Sequence, residues 1–147
     1  MPIKSFKGQI ADGGIDTIPL HTNDGSTGYR IKKLEVFPAG STGTFEYESF
    51  LLVNSIEPTT ASSTPDFSDQ TLLAGIYFTM SPSGAVYPED VTMIIDNMIF
   101  NQDIYISHNN NAGNVGINYY MELEQMPLAL DENTVATLKD IRNIEAQ

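Results

Sequence analysis

Short apolar or alternating runs recur along this chain, and clusters of glycine, asparagine, aspartate, serine and proline separate them. Runs of this length with a period of two are typical of β-strands, and the clusters between them are typical of turns. The pattern predicts eight strands, at residues 5–10, 15–22, 29–37, 44–53, 72–80, 91–95, 98–106 and 115–124. Because no helical segments lie between these runs, we expect an all-β sandwich and no parallel sheet covered by helices.

The eighth predicted strand has the clearest alternation. Its apolar positions share one face and are Ile117, Tyr119, Met121 and Leu123. Its polar positions share the other face and are Asn118, Tyr120, Glu122 and Glu124. The adjacent tyrosines therefore point in opposite directions, so that one belongs to the core and the other can stack on a neighbouring sheet or subunit. In the second predicted strand, Pro19 favours an edge position or a bulge.

An eight-stranded, jelly-roll-like antiparallel sandwich with a short C-terminal helix fits the strand count best, and an immunoglobulin-like sandwich fits it second. We assign residues 1–130 to the sandwich and residues 131–147 to the helix. Asp131, Glu132 and Asn133 supply N-cap candidates and acids for the positive end of a helix. The apolar positions that follow at steps of three are Val135, Leu138, Ile141 and Ile144. This stripe docks either on its own sandwich or on a neighbouring subunit, and the pattern leaves both open.

Two polar segments are predicted to be loops. Residues 54–70 form the longest one, and a loop of this length in a compact domain is either functional or mobile. The asparagine-rich run 108–114 is the second. His108 opens it, and we expect an exposed or capping side chain there.

Length and charge narrow the class of partner. The 147 residues suit one domain, and the formal charge of −12 comes from 19 acidic and 7 basic residues. Such a chain is repelled by phosphate backbones and by anionic membranes, so we expect no nucleic-acid and no membrane partner. The charge serves solubility or attracts a basic partner surface or cations. We expect the cytoplasm, or a particle assembled there, because no signal peptide or membrane span is evident.

Candidates for nucleophilic chemistry are sparse. The chain has no cysteine, and its only histidines are His21 and His108. A Ser-His-Asp arrangement could join His108 to Asp103, but no Gly-x-Ser-x-Gly motif accompanies it. We therefore expect no catalytic residues.

Candidates for acid–base chemistry and for metal binding have simpler explanations. Glu46 with Glu48, and Glu122 with Glu124, are i, i+2 pairs that solvate the outer face of a sheet, and Lys32 and Lys33 could be cross-strand partners of such carboxylates. The oxygen-rich turns at residues 23–26 and 109–111 lack EF-hand spacing. We expect no metal ion and no cofactor.

The final third of the chain has the most individual pattern. The runs 103–108, 117–124 and 134–142 follow one another as a strand, a strand and an amphipathic helix. In this order they resemble small virion proteins of marine tailed phages that decorate a capsid or sit at its vertices and joints. The resemblance covers residues 100–145 and implies a jelly-roll or similar sandwich that self-associates and binds a shell.

Three functions stay open. The first is a non-catalytic virion protein, assembled in the host cytoplasm as a homo-oligomer such as a trimer, which binds the major capsid protein or another virion protein. Its interface candidates are Ile3, Phe6, Val135, Leu138, Ile141 and Ile144. The second is a sandwich that binds carbohydrate or a cell surface, with the candidates Tyr105, His108, Asn110 and Tyr120. The third is an enzyme, which needs a cleft where His108 or a glutamate pair meets other polar groups.

Overall fold

The fold is an all-β antiparallel arrangement of eight strands. The computed structural model describes residues 2–22, 25–39, 47–80, 90–112 and 114–128. The strands are β1 (Ile3–Ile10), β2 (Ile15–Ile18), β3 (Thr27–Pro38), β4 (Tyr47–Asn54), β5 (Leu72–Met80), β6 (Asp90–Ile95), β7 (Ile104–Asn110) and β8 (Ile117–Pro127). No helix occurs within these ranges, and the helix predicted over residues 131–147 lies outside them. The prediction of an all-β chain is confirmed for the described residues.

The strands form two sheets. One has the order β1-β8-β3, and the other has the order β2-β7-β4-β5-β6. All strand pairs are antiparallel. Pro19 follows the last residue of β2, which is an edge strand as the sequence predicts. The core is built from the inward side chains of both sheets.

Strand β8 is the centre of the three-stranded sheet, and its alternation is as predicted. Tyr119, Met121 and Leu123 are buried, whereas Tyr120 and Glu122 are partly exposed on the outer face. The Tyr119 hydroxyl donates to the carboxylate of Asp16 on β2, with 3.2 Å between the oxygens, and so joins the two sheets. Burial, together with the nearby charge of Asp16, raises the pKa of Tyr119 to about 12.

A glycine on β1 makes room for that tyrosine. Gly8 is the register partner of Tyr119, and a Cβ atom at Gly8 would lie 2.9 Å from the Tyr119 hydroxyl oxygen. The Tyr119 ring therefore fills the space that a side chain at position 8 would need.

A β-bulge divides β3. Ile31 pairs with Leu123 and Lys33 pairs with Glu122, so Lys32 is an extra residue on this strand. Both lysines are exposed. The bulge shifts the phase by one residue, which turns Ile31 and Leu34 to the core although they are three residues apart.

The seventh strand differs from the prediction. We expected it at residues 98–106, followed by a loop at 108–114, but β7 spans Ile104–Asn110. His108 pairs with Leu51 and Asn110 pairs with Ser49, so this polar run is strand backbone inside a sheet. The prediction was wrong because His108 and Asn110 are buried polar residues, and their polarity hides the strand from a pattern that assumes apolar inward positions.

The long segment 55–71 folds back over the outer face of the five-stranded sheet. The side-chain amide of Asn109 donates to the Ala61 carbonyl at 3.4 Å. Pro58 and Ser62 line a small cavity together with Leu52 of the sheet below. The side-chain oxygens of Asp66 and Asp69 each accept the backbone N–H two residues further on, which fixes two tight turns.

Candidate functional site

His108 lies at the junction of β4, β7 and the turn between β1 and β2. Its ring is 0% exposed, with Nε2 3.0 Å from Ser49 Oγ and Nδ1 3.3 Å from the Ala11 carbonyl oxygen. A carbonyl only accepts, so Nδ1 carries the proton and Nε2 accepts from the Ser49 hydroxyl. The backbone of the turn is also fixed to β7, because Gly13 N–H donates to the His108 carbonyl at 2.8 Å.

Neighbouring polar groups complete this junction. The backbone N–H of Asn110 donates to Asp12 Oδ1 at 2.8 Å. The side-chain oxygen of Asn110 in turn accepts the backbone N–H groups of Glu48 at 2.8 Å and of Ala112 at 3.3 Å. These contacts hold three separate chain segments together, and each one is internal to the protein.

The junction contains a serine and a histidine in hydrogen-bond contact, yet its geometry does not suit nucleophilic attack. Ser49 is buried, so a substrate cannot approach its hydroxyl. The predicted partner Asp103 does not orient His108, because Asp103 Oδ1 lies 2.7 Å from Nδ1 of His21. The Ser-His-Asp arrangement considered for His108 with Asp103 is therefore wrong.

Asp103 closes the end of β2. Its Oδ1 atom accepts the backbone N–H groups of Leu20 at 2.8 Å and His21 at 3.0 Å, in addition to its contact with the exposed His21 ring. Burial acts to raise the pKa of Asp103, but the hydrogen bonds outweigh it and lower the pKa below its ordinary value. This cluster fixes the chain beyond the last residue of β2.

The burial of His108 should make stability depend on pH. Burial lowers its pKa from 6.5, while the Ala11 carbonyl and Asp12 act in the opposite direction. Above pH 6.5 the ring is neutral in both the folded and the unfolded chain. As the pH falls from 6.5 towards the folded-state pKa, only the unfolded chain gains the proton, so the free energy of unfolding should fall by up to about 1.4 kcal/mol per pH unit.

Urea unfolding at several values between about pH 7.5 and pH 5 measures this dependence. His108→Gln should flatten the slope, whereas the matched variant His21→Gln should retain it. A slope that survives in His108→Gln and disappears in His21→Gln would contradict the assignment.

The outer face of the three-stranded sheet carries an open cleft. Two adjacent rows of cross-strand neighbours line it: Asn118 and Phe37 in one, and Lys7, Tyr120 and Glu35 in the other. The cleft has a volume of about 500 Å³. Phe37 is 72% exposed at its rim.

Several contacts fix this surface. The Tyr120 hydroxyl donates to Glu122 at 2.7 Å, and the Lys33 ammonium nitrogen lies 5.9 Å from the centroid of the Tyr120 ring. The hydrogen bond to Glu122, together with burial, raises the pKa of Tyr120. The amide of Gln9 donates to Asn118 at 3.1 Å.

A second surface is apolar and surrounds the free edge of β6, and we call it the β6 patch (Phe67, Met93 and Ile94). Phe67 is 65% exposed and Ile94 47% exposed, and both line two adjoining depressions over β5. Met93 projects from the opposite face of the same strand and is 48% exposed. No described strand pairs with the outer edge of β6.

The described charges are unevenly distributed. Every lysine and arginine that the structure describes lies on β1 or β3. Two of them form ion pairs with β8, since Glu124 lies 2.6 Å from Arg30 and 3.9 Å from Lys32. Lys33 instead approaches Glu35 at 3.7 Å. The described part of the five-stranded sheet and its loops therefore has acids and no lysine or arginine.

The residues predicted for ligand binding lie in three places. Tyr105 is on the outer face of β7, His108 and Asn110 are on its inner face, and Tyr120 is on the outer face of the other sheet. They do not share a surface. Burial, followed by the charges of Asp103 and Glu57, raises the pKa of Tyr105.

Two of the predicted interface residues are described. Ile3 is exposed, whereas Phe6 is half-buried and packs against the core. Val135, Leu138, Ile141 and Ile144 lie outside the described residues. The sequence reasoning missed the exposed apolar members of the two surfaces, which are Phe37, Phe67, Met93 and Ile94.

The described residues contain neither a cluster of metal ligands nor a membrane-spanning helix. In the ranges that the structure describes, no three histidine, aspartate or glutamate side chains group to hold a metal ion. Within the same ranges, no helix has the length and apolar character that crossing a membrane requires. Comparison of the sequence with protein-family models and with curated proteins finds no match.

Proposed function

We propose that this chain is a non-catalytic structural protein of a virion, of the capsid decoration or accessory type, which assembles with copies of itself and binds a shell. The β6 patch is the observation that carries this proposal. Soluble monomers expose single apolar residues routinely, but clustered ones mark interaction surfaces. Phe67 and Ile94 lie together at the edge of β6, Met93 is exposed on the opposite face of that strand, and no described strand pairs with the edge, which favours burial in an assembly.

The finer fold that we propose is a jelly roll. Such a sandwich arises when one long antiparallel hairpin of eight strands rolls up, so that strands 1 and 8, 2 and 7, 3 and 6, and 4 and 5 are partners. The pairs β1–β8, β2–β7 and β4–β5 support it. The described strands do not form the fourth pair, β3–β6. Instead, β6 pairs with β5 at the end of the five-stranded sheet. Jelly rolls are frequent in capsid and lectin domains, so the fold is compatible with the role but does not select it.

The resemblance of residues 100–145 to small virion proteins of marine tailed phages supplies the biological setting of the proposal. In that setting the partners are further copies, as in a trimer, and the major capsid protein or another virion protein. Assembly takes place in the host cytoplasm, and the C-terminal helix proposed for residues 131–147 adds a second contact. The acidic five-stranded side favours a basic patch on the shell.

Self-association through the β6 patch is directly testable. The wild-type chain should have a mass above its monomer mass of 16.2 kDa at micromolar concentration. Ile94→Asp should weaken association by about tenfold or more, because a desolvated carboxylate would replace an apolar contact. Light scattering coupled to size-exclusion chromatography measures both.

Phe37→Asp is the control, since it places the same charge at an exposed apolar position on the other sheet. It should leave the mass unchanged. A wild-type chain that stays monomeric and does not co-sediment with capsids of the phage that carries its gene would contradict the proposal.

A further inference from the structure

We propose that the cleft on the outer face of the three-stranded sheet is a binding site for a neutral saccharide. The site consists of Lys7, Glu35, Phe37, Asn118 and Tyr120. It is separate from the β6 patch, which belongs to the other sheet, and it goes beyond the structural role proposed above.

The arrangement of the two aromatic rings is the first argument. Phe37 is opposite Asn118 and Glu35 is opposite Tyr120, so the rings occupy diagonal positions across β3 and β8. Diagonal neighbours lie roughly 7–8 Å apart, within reach of aromatic side chains, so the two rings can contact one small ligand together. A sugar ring presents apolar C–H groups on its faces and hydroxyls around its rim, so two neighbouring aromatic rings suit its faces.

The polar groups around the two rings are the second argument. Asn118 is opposite Phe37 and two residues before Tyr120 on β8, and Lys7 and Glu35 are the cross-strand neighbours of Tyr120. Together they offer donors and acceptors for hydroxyl groups. Lys7 and Glu35 carry opposite charges, so the pair favours neither an anion nor a cation.

The rigidity of the site is the third argument. Lys33 is opposite Glu122, one row away from the cleft, and its ammonium approaches the Tyr120 ring from that side. The carboxylate of Glu122 accepts a hydrogen bond of 2.7 Å from the Tyr120 hydroxyl. Asn118 is held by Gln9 at 3.1 Å and also donates to the Pro38 carbonyl at 3.4 Å. Groups held in place before binding lose little conformational freedom when a ligand arrives.

The dimensions agree with a small ligand. A volume of about 500 Å³ is within the range of roughly 300–1,000 Å³ that is usual for ligand sites.

The experiment is a screen of the full chain on an array of neutral and anionic glycans, followed by calorimetric titration with the neutral oligosaccharide that binds best. We expect a neutral binder, and we expect Phe37→Ala and Tyr120→Ala each to weaken it by about tenfold or more. Phe37→Tyr should retain binding, because it keeps the ring. Phe67→Ala, which removes an equally exposed ring from the other sheet, should leave the affinity unchanged.

Four outcomes would overturn the proposal: an array with no neutral binder, binding restricted to sialylated or sulfated glycans, an affinity that Phe37→Ala does not change, or a loss of self-association in Phe37→Ala. The last would show that the cleft holds a second copy of the chain. Thermal unfolding of each variant establishes that it is folded. Failure here is distinguishable from failure of the structural role, because Ile94→Asp addresses self-association and should leave glycan binding intact.

Discussion

Replacing His108 by alanine is expected to lower the free energy of unfolding by about 3–4 kcal/mol. The ring is 0% exposed and contacts Ser49 and the Ala11 carbonyl. Its removal leaves a cavity between the sheets, which costs about 2 kcal/mol or more. It also leaves the buried Ser49 hydroxyl without its ring partner, which adds about 1–3 kcal/mol. Urea unfolding followed by circular dichroism measures the loss.

Two further variants separate these contributions. Ser49→Ala removes only the hydroxyl and should cost about 1–3 kcal/mol, because it leaves Nε2 of His108 unpaired. The double variant Ser49→Ala with His108→Leu replaces both polar partners by apolar groups and should be more stable than His108→Ala alone. If His108→Ala were within about 0.5 kcal/mol of the wild type, the junction of β4, β7 and the β1–β2 turn would not stabilise the fold.

The contrast between β8 and β7 shows what the sequence can predict. In β8 the inward positions are apolar, so a period of two marks both the strand and its buried face. In β7 the inward positions include His108 and Asn110, whose burial is possible only because groups distant in the chain satisfy them. Their partners Ser49 and Glu48 belong to another strand. A local pattern contains no information about such partners, so the sequence predicts a loop from residue 108 where the structure has the end of β7.

The two candidate surfaces were hidden from the sequence for different reasons. The β6 patch joins a strand to Phe67 of the long loop, and no pattern indicates where that loop folds. The cleft brings together β1, β3 and β8, whose residues Lys7, Glu35 and Tyr120 are neighbours in the sheet although they are far apart in the chain. Tyr120 was predicted to lie on an outer face, but its neighbours could be named only from the strand order β1-β8-β3.

The sequence did not identify Phe37 as a surface residue because the alternation of inward and outward side chains reverses within β3. Strict alternation from Ile31 would place Lys33, Glu35 and Phe37 on the inner face. The bulge at Lys32 reverses the phase, so Leu34 and Val36 point inward and Phe37 points outward. The reversal buries Leu34 and leaves Lys33, Glu35 and Phe37 on the surface. This arrangement is favourable because the charges of Lys33 and Glu35 stay in water. The bulge therefore gives Phe37 its outward orientation at the cleft.

The phase of β3 leads to the last prediction. Leu34→Ala should lower the free energy of unfolding by about 3–5 kcal/mol, because Leu34 is 0% exposed and faces Met121 in the centre of the core. Glu35→Ala, one residue further on, should change it by about 0.5 kcal/mol or less, since it removes only an exposed contact with Lys33. Both are truncations to alanine on the same strand, so their difference reports burial. Urea unfolding of the two variants and of the wild type measures both losses.

The two losses together test the bulge itself. If all residues were kept but the bulge at Lys32 were absent, a strand that keeps Ile31 inside would turn Glu35 inward and Leu34 outward, and the order of the two losses would be reversed. Equal losses would mean that β3 exchanges between the two registers. A larger loss for Leu34→Ala than for Glu35→Ala requires the register in which Ile31 pairs with Leu123 and Leu34 pairs with Met121. The same register places Phe37 opposite Asn118.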